Sequence, residues 1–360
     1  MSKINLLDLF SGIGGFAQGL TQAGFEIENH YFSEIEKHPI AIYRNKFKEA
    51  EYAGSVTDVR GDRLPKINAI TFGSPCQDFS LAGKREGIEG ERSSLVREAI
   101  RLIDECRPDF FIWENVKGVF SSNDGADFWA VVQALADIGG YRLEWQLLNT
   151  KWFLPQNRER IYLVGYLGNG SGGQVFPIRE TTRPNIKSSK KKHNKIVMPT
   201  ICTNYWRFAN DTPVIKVKSA TSKGYEEAAE GDSINYSNPN SETRRGRVGK
   251  GVAQTLDTTC NQAVIYDGYN NKVKEENIVG TITQHCSRSG LTNGFKVINE
   301  NKIRRLTPIE CERLQGFPDN WTQYGESGKI SDTQRYKMCG NAVTVDVVEA
   351  VANSIIKTIY

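Results

Sequence analysis

The chain has 360 residues, 39% of them hydrophobic and 24% charged, with a net charge of +4 and an isoelectric point near 8.5. That length exceeds one ordinary hydrophobic core and suits one large domain with a smaller companion, and the composition is that of a soluble globular protein. Apolar runs such as Asp109–Trp113 and Ile161–Gly165 are strand-sized, far short of the roughly 20 residues that span a bilayer, and the mild basicity admits a polyanionic partner without requiring one.

Met1-Ser2-Lys3-Ile4 leads directly into a strand-like run with no apolar leader or cleavage site, so a cytoplasmic protein is expected. From residue 4 to about 167, β-rich runs alternate with amphipathic helical stretches. Ile4–Leu9, Glu28–Phe32, Ala69–Phe72, Phe110–Trp113 and Ile161–Tyr166 read as strands; Phe16–Ala23, His38–Phe47, Ser94–Glu105 and Phe128–Ile138 read as helices. The alternation predicts an α/β, doubly wound sheet, whose ligand belongs at the carboxyl ends of the strands. Gly168–Gly173 is a flexible breaker and marks the expected boundary, giving a first domain over 1–170, a second over 171–300 and a return over 301–360.

Residues 171 to 300 turn polar and basic, with short β-like runs and clusters at Lys190–Lys192 and at Arg244, Arg245 and Arg247. A loose repeat runs through Pro199–Cys202 with Pro213–Ile215, Gln254–Asp257 with Ala263–Ile265, and Gly280–Thr283 with Phe295–Ile298; each copy reads as strand, loop, strand, and chance likeness among hairpins accounts for it equally well. Thr307-Pro308 then looks like a helix cap with proline at the first helical position, and Val343–Thr358 reads as a final helix. The seven cysteines lack paired spacing and fit a reducing compartment. The four histidines are scattered and no Cys-x-x-Cys occurs, so no metal is expected.

Several stretches carry chemistry. Asp8-Leu9-Phe10-Ser11-Gly12-Ile13-Gly14-Gly15 is a strand end followed by a glycine-rich turn, which either admits a nucleotide-like ligand close to the backbone or is a plain tight turn. Glu34, about 20 positions on, suits ribose hydroxyls or is a solvated carboxylate beside Glu36. Cys76, held on a turn by Gly73-Ser74-Pro75, stands at the expected carboxyl edge, where a thiolate can attack an electrophilic carbon; the other cysteines read as small buried hydrophobes. Glu114-Asn115-Val116 arrives at the same edge, and its glutamate is either a reactive carboxyl or an ion-pairing one. Arg158 and Arg160 offer forked donors for an oxygen-rich group, or pair with Glu159.

Taken together, these stretches resemble bacterial and phage DNA (cytosine-5) methyltransferases. The likeness rests on Asp8–Phe16, Gly73–Ser80, Glu114–Val116, Gln156–Tyr162, Arg304–Pro318 and Gly340–Val343, in family order, leaving out only the middle. It implies a mixed doubly wound sheet of the S-adenosylmethionine-dependent methyltransferase type, with residues 171–300 as a mostly β target-recognition domain. It further implies that Cys76 adds to C6 of cytosine while Glu114 bonds N3, Arg160 holds O2 and Arg158 assists. The implied S-adenosylmethionine site is Phe10, Ser11, Gly12, Gly14, Glu34, Ile35, Ser55, Val56, Pro75, Leu95, Asn341 and Ala342. Gly83–Gly90, with Lys84 and Arg85, matches the family's closing loop, and Arg244, Arg245 and Arg247 join these as DNA contacts. Double-stranded DNA is the implied partner, met by a monomer, with any cognate restriction endonuclease acting separately. One departure stands out: the family's usual Gly-Asp-Ile is Gly54-Ser55-Val56 here, with Asp58 just beyond, so either Ser55 or Asp58 would meet the adenine. Two rivals are an RNA cytosine methyltransferase, against which the long basic middle argues, and a silent DNA-binding homologue, against which the intact Cys76 and Glu114 argue.

Overall fold

Ile4, Leu6, Leu7 and Leu9 leave the first strand without a solvent face, so it must be covered on both sides. In the computed structural model of the chain, which describes residues 2–74, 93–167, 173–179, 215–229, 231–237, 243–267 and 301–360, that strand is β1 (Lys3–Leu9), an interior strand of a seven-stranded sheet. Around it run α1 (Gly15–Ala23), β2 (Glu26–Ser33), α2 (Lys37–Lys46), β3 (Glu51–Tyr52), β4 (Ala69–Gly73), α3 (Ser93–Cys106), β5 (Phe110–Val116), α4 (Ala126–Asp137), β6 (Tyr141–Asn149) and β7 (Glu159–Leu167). The order is β3-β2-β1-β4-β5-β7-β6, with β7 antiparallel to both neighbours and the other pairs parallel. Because the chain leaves β1 toward β2 and returns on its other side at β4, the strand order reverses between β1 and β4. A crevice opens beyond their carboxyl ends.

Alternate side chains feed two cores. Leu7, Leu9, Ile70, Phe72, Phe111 and Trp113 meet Val96, Leu102 and Ile103 of α3 and Phe128 and Leu135 of α4. On the other face, Ile4, Leu6, Phe110 and Ile112 meet Phe16 and Leu20 of α1. This second core also takes in Val347, Val348, Val351 and Ile355 of the last helix, α7 (Val345–Ile359). Close approach of α7 requires glycine in α1: a Cβ on Gly19 would lie 2.6 Å from Val348, and one on Gly15 2.6 Å from Val343. The chain's end therefore packs back on its beginning.

Between them stands a smaller β unit: the hairpin β8 (Ile215–Lys218) and β9 (Tyr225–Ala228), and an antiparallel sheet of β10 (Ser233–Asn235), β11 (Val248–Gly249), β12 (Gln262–Asp267) and β13 (Asn301–Arg305) in the order β11-β10-β12-β13. Its limits differ from the expected 171 and 300. Val175, Phe176 and Ile178 belong to the large core, because Glu144 accepts the Val175 and Phe176 amides at 3.0 Å and Gln146 bonds both main-chain groups of Ile178. At the other end β13 completes the small sheet, after which α5 (Pro308–Leu314) and α6 (Asp332–Asn341) lead to α7; α5 opens with the capping box of Thr307 and Glu310. Of the suggested repeat, Ala263–Ile265 lies in β12 while Gln254–Asp257 is irregular and not a strand; the Gly280–Ile298 copy and Lys190–Lys192 fall outside the described residues. Among the described residues no helix is long and apolar enough to cross a membrane.

Gly19→Leu should lower the free energy of unfolding by about 1–3 kcal/mol through overpacking, although leucine is the better helix former. Urea melts of the two proteins measure this; an unchanged midpoint would show that α1 and α7 do not touch as described.

Candidate active site

Two groups of residues meet at the carboxyl edge. The first surrounds the turn after β1, where Phe10 (φ 51°), Gly12 (φ 55°) and Gly14 (φ 84°) are left-handed. Gly14 has no alternative, since a Cβ there would fall 2.3 Å from the Phe47 ring; at Gly12 it would meet nothing within 4 Å, because this residue faces open space. Glu34 fixes the turn: one carboxylate oxygen accepts the Gly12 amide at 2.9 Å and the other accepts the Ile35 and Glu36 amides at 2.7 and 3.0 Å. The Trp321 indole, reaching back from the return segment, donates to the Ile13 carbonyl at 2.9 Å. Leu95 packs with Phe10 on one core, and Val56 is buried in it. Ser55 Oγ is engaged with Thr57 Oγ1 at 2.9 Å, whose other neighbour is Asp58 at 3.4 Å.

This edge fits an adenosine-bearing cofactor. Ser11 Oγ is buried without a partner, Ile35 is 74% exposed although apolar, and Glu34 brings a carboxylate beside the open glycine. A planar base can cover an exposed aliphatic side chain, and ribose hydroxyls donate to a carboxylate.

Beneath the turn lies a group that motif reading passed over. Asp8 is fully buried and faces Thr71, its partner in register on β4; Thr71 Oγ1 and Tyr43 OH donate to its two oxygens at 2.8 and 2.9 Å, and His30 Nε2 lies 2.7 Å from the same Tyr43 hydroxyl. Since that phenol spends its proton on Asp8, His30 is the donor to it. Burial raises the Asp8 carboxyl to about 7 against the lowering effect of both hydroxyls, and burial lowers His30 to about 4. An aspartate inside an otherwise apolar strand was the available signal.

The second group lies where β5 and β7 pair. Glu114 is 8% exposed and pairs with Arg160, Nε to Oε1, at 3.1 Å. Burial raises its carboxyl above the usual value, opposed by Arg160 and then Arg158. Gly73 leaves room beside it, a Cβ there lying 3.4 Å from Oε2. Ser74 Oγ accepts from Trp113 Nε1 and Asn115 Nδ2, each at 3.0 Å, fixing the strand end just before residue 75. Pro75, Cys76, Lys84 and Arg85 lie outside the described residues. A pocket of about 290 Å³ opens here, walled by Val116, Lys117, Gly118, Asn157, Glu159 and Arg160 on one side and Gln254 and Thr255 of the small unit on the other.

Arg158, expected to assist at the base, is instead buried, its two terminal nitrogens bonded to the carbonyls of Leu256, Gly340 and Ala342. It joins the small unit and the return segment to β7. Asn341, the exposed last residue of α6, adjoins the buried Ala342. In the small unit, Arg244 and Arg245 are exposed, donating to Ser237 Oγ at 2.5 Å and the Ala220 carbonyl at 2.9 Å. Arg247 differs from the expected DNA contact. It is buried, with its guanidinium on the carbonyls of Lys218, Asn235 and Ser237, and a group so enclosed does not reach a phosphate. Among the described residues no cluster of His, Cys, Asp and Glu could hold a metal.

Residues 4–357 match the family model for the C-5 cytosine-specific DNA methylase. The type II methyltransferase M1.ScrFI of Lactococcus lactis subsp. cremoris is 30% identical over 99% of this chain and 79% of its own length. The orphan methyltransferase M.SPRI of Bacillus phage SPR is 27% identical over 99% of this chain and 98% of its own. Among solved structures, the S. pombe Dnmt2 methyltransferase superposes with a TM-score of 0.58 over 98% of each chain at 17% identity, a likeness of fold.

The Asp8 carboxyl gives a pH signature. Between about pH 4 and 7 the folded protein keeps a proton that the unfolded chain has released, so this group makes stability fall as pH rises through that window, and leaves it level above. Asp8→Asn should remove up to about 1.4 kcal/mol per pH unit of that downward slope; denaturation midpoints at a series of pH values test it, and parallel profiles for the two proteins would refute it.

Proposed function

Since the chain belongs to the C-5 cytosine-specific DNA methylase family, we propose that it methylates C5 of a cytosine in a specific duplex DNA sequence, through a transient bond between Cys76 and that base. The observation that carries this reading is the buried Glu114–Arg160 pair, which opens on a polar pocket at the sheet edge from which the chain runs on to Pro75 and Cys76.

C5 of cytosine is a poor nucleophile, and addition at C6 makes it an enamine carbon. In the proposed sequence the Cys76 thiolate forms the bond to C6, and the C5–C6 π electrons move toward N3, where the Glu114 carboxyl holds a proton. Burial makes that carboxyl a better proton holder than one in water. Arg160 both steadies Glu114 and offers its remaining N–H groups to the base's O2. S-adenosylmethionine, when bound, supplies an electrophilic methyl group on sulfonium sulfur. After transfer, N3 returns its proton to Glu114, and loss of the C5 proton to solvent or a nearby base restores the C5–C6 double bond as the Cys76 thiolate leaves. A base inside a duplex exposes neither face, so it must be turned out of the stack, and a pocket walled by both the large sheet and the small unit suits an extruded nucleotide. Glu34, Ser11 and Ile35 would hold the ribose and adenine of the cofactor. Arg158 works at one remove, keeping Ala342 and Leu256 in place. The names of the phage and bacterial relatives support a protective, restriction-modification type of role for the mark, with the small unit choosing the sequence.

Cys76→Ser should abolish methyl transfer to duplex DNA while leaving S-adenosylmethionine binding nearly intact, because a hydroxyl is far less acidic than a thiol. Transfer of labelled methyl groups, with calorimetric titration of the cofactor, checks both halves, and retained transfer would rule out Cys76 as nucleophile. Bisulfite sequencing of host DNA after expression reads out the site.

Neutralising Arg244 and Arg245 should weaken DNA binding. If they touch phosphates the loss is alike for all sequences, and the salt slope falls by about one unit per contact. If one reads guanine, roughly 1–3 kcal/mol is lost on the cognate site alone. Isotherms on cognate and scrambled duplexes at several salt concentrations distinguish these, and unchanged affinity and slope would remove the pair from the interface.

A further inference from the structure

The loop from Gly54 to Gly61 runs beside the glycine turn at the carboxyl edge, and no regular hydrogen-bonded strand holds it in shape. At its start it hangs from β2: the Ala53 amide donates to the Phe32 carbonyl and Ser33 Oγ to the Gly54 carbonyl, each at 2.8 Å. Beyond that its main chain is gripped by α3. Arg101 NH2 donates to the carbonyls of Val59 at 2.9 Å and Val56 at 3.4 Å. The same guanidinium is braced from behind by Glu98, at 2.9 and 2.8 Å, and by Glu105, at 2.6 Å. Glu105 then uses its other oxygen to accept the Gly61 amide at 2.7 Å. Contact with α3 is close enough that a Cβ on Gly61 would lie 2.7 Å from the Glu105 Cβ and 2.9 Å from the Cys106 sulfur.

We infer that Arg101 is a positioning residue for the cofactor, holding this loop so that its main chain at Ser55 and Val56 meets the adenine. The inference rests on the cofactor site assigned above and extends it to a side chain that touches no ligand. Ser55 explains why position matters here. A neutral hydroxyl already engaged with Thr57 is a weaker acceptor than a carboxylate, so the loop's grip on a base depends on where its main chain is held. Arginine suits this task because its planar fork meets two carboxylates and two carbonyls at once, which an ammonium group cannot do.

The test is calorimetric titration of S-adenosylmethionine into the full chain, well below each variant's unfolding midpoint. Arg101→Ala should raise the dissociation constant roughly tenfold, the scale of losing one or two charge-assisted hydrogen bonds. KM for the cofactor should rise with it while kcat at saturation holds, and Arg101→Lys should recover only part of the affinity. Gly61→Ala, which pushes the loop off α3 without touching Arg101, should weaken binding in the same way and serves if Arg101→Ala folds poorly. A folded Arg101→Ala or Gly61→Ala protein that binds the cofactor like the wild type would overturn the inference, as would a loss confined to kcat. A wild-type protein that binds no S-adenosylmethionine would instead overturn the cofactor reading beneath it.

Discussion

The contact between α1 and α7 is the constraint on which the rest of the molecule depends. Two glycines in the first helix admit valines from the last stretch of chain, so that residues separated by most of the sequence share one core. Once both ends are fixed to the same sheet, the small β unit must leave and return on the same side, and the segment that brings the chain home crosses the carboxyl edge. Trp321 can then reach the Ile13 carbonyl, and Arg158 can bind the carbonyls of Gly340 and Ala342. The site is a product of closure as much as of the sheet.

Buried ionisable groups mark where that closure has been put to use. Burying a carboxyl without a full set of partners costs several kcal/mol or forces it toward its neutral form. Asp8 accepts two hydroxyl donors and no cation, so it shifts up strongly; Glu114 has Arg160 beside it, and burial still prevails. Glu312, also enclosed, meets the Arg335 guanidinium and the Thr322 amide through one oxygen, each at 2.9 Å, while its other oxygen is buried without a hydrogen-bond partner. Glu114, whose hold on a proton burial strengthens at the edge of a cleft, is the kind of carboxyl that acid–base work needs.

Much of this was legible in the amino-acid sequence. The strands β1, β4 and β5 are legible as near-continuous apolar runs because they are covered on both faces, and the glycine turn is legible because left-handed backbone leaves little choice at Gly14. The irregular parts were not. Val175, Phe176 and Ile178 form too short a run to declare which core they join, and Gln254–Asp257 alternates like a strand while serving as a loop. Arg247 reads the same as Arg244 and Arg245, since a linear sequence does not say which side of a small sheet a guanidinium faces. Arg101 looked like any polar position on an amphipathic helix; only the three-dimensional course of the loop opposite gives it a partner. The residues of the site came chiefly from the family resemblance, with the pocket's second wall supplied by the fold.

The joint between the two units combines main-chain hydrogen bonds with a small apolar core, in which Ala253, Leu256 and Cys260 pack against Cys311, Leu314, Tyr336 and Cys339. Ala253 exchanges its amide and carbonyl with Pro155 and Asn157, Leu256 offers its carbonyl to Arg158, and Gly340 lies against the backbone of Asp257. The peptide part of such a joint is indifferent to side chains, while its apolar part fixes only the few positions that enter it. Positions of the small unit outside that core can therefore change one at a time while its seating on the large sheet stays as it was.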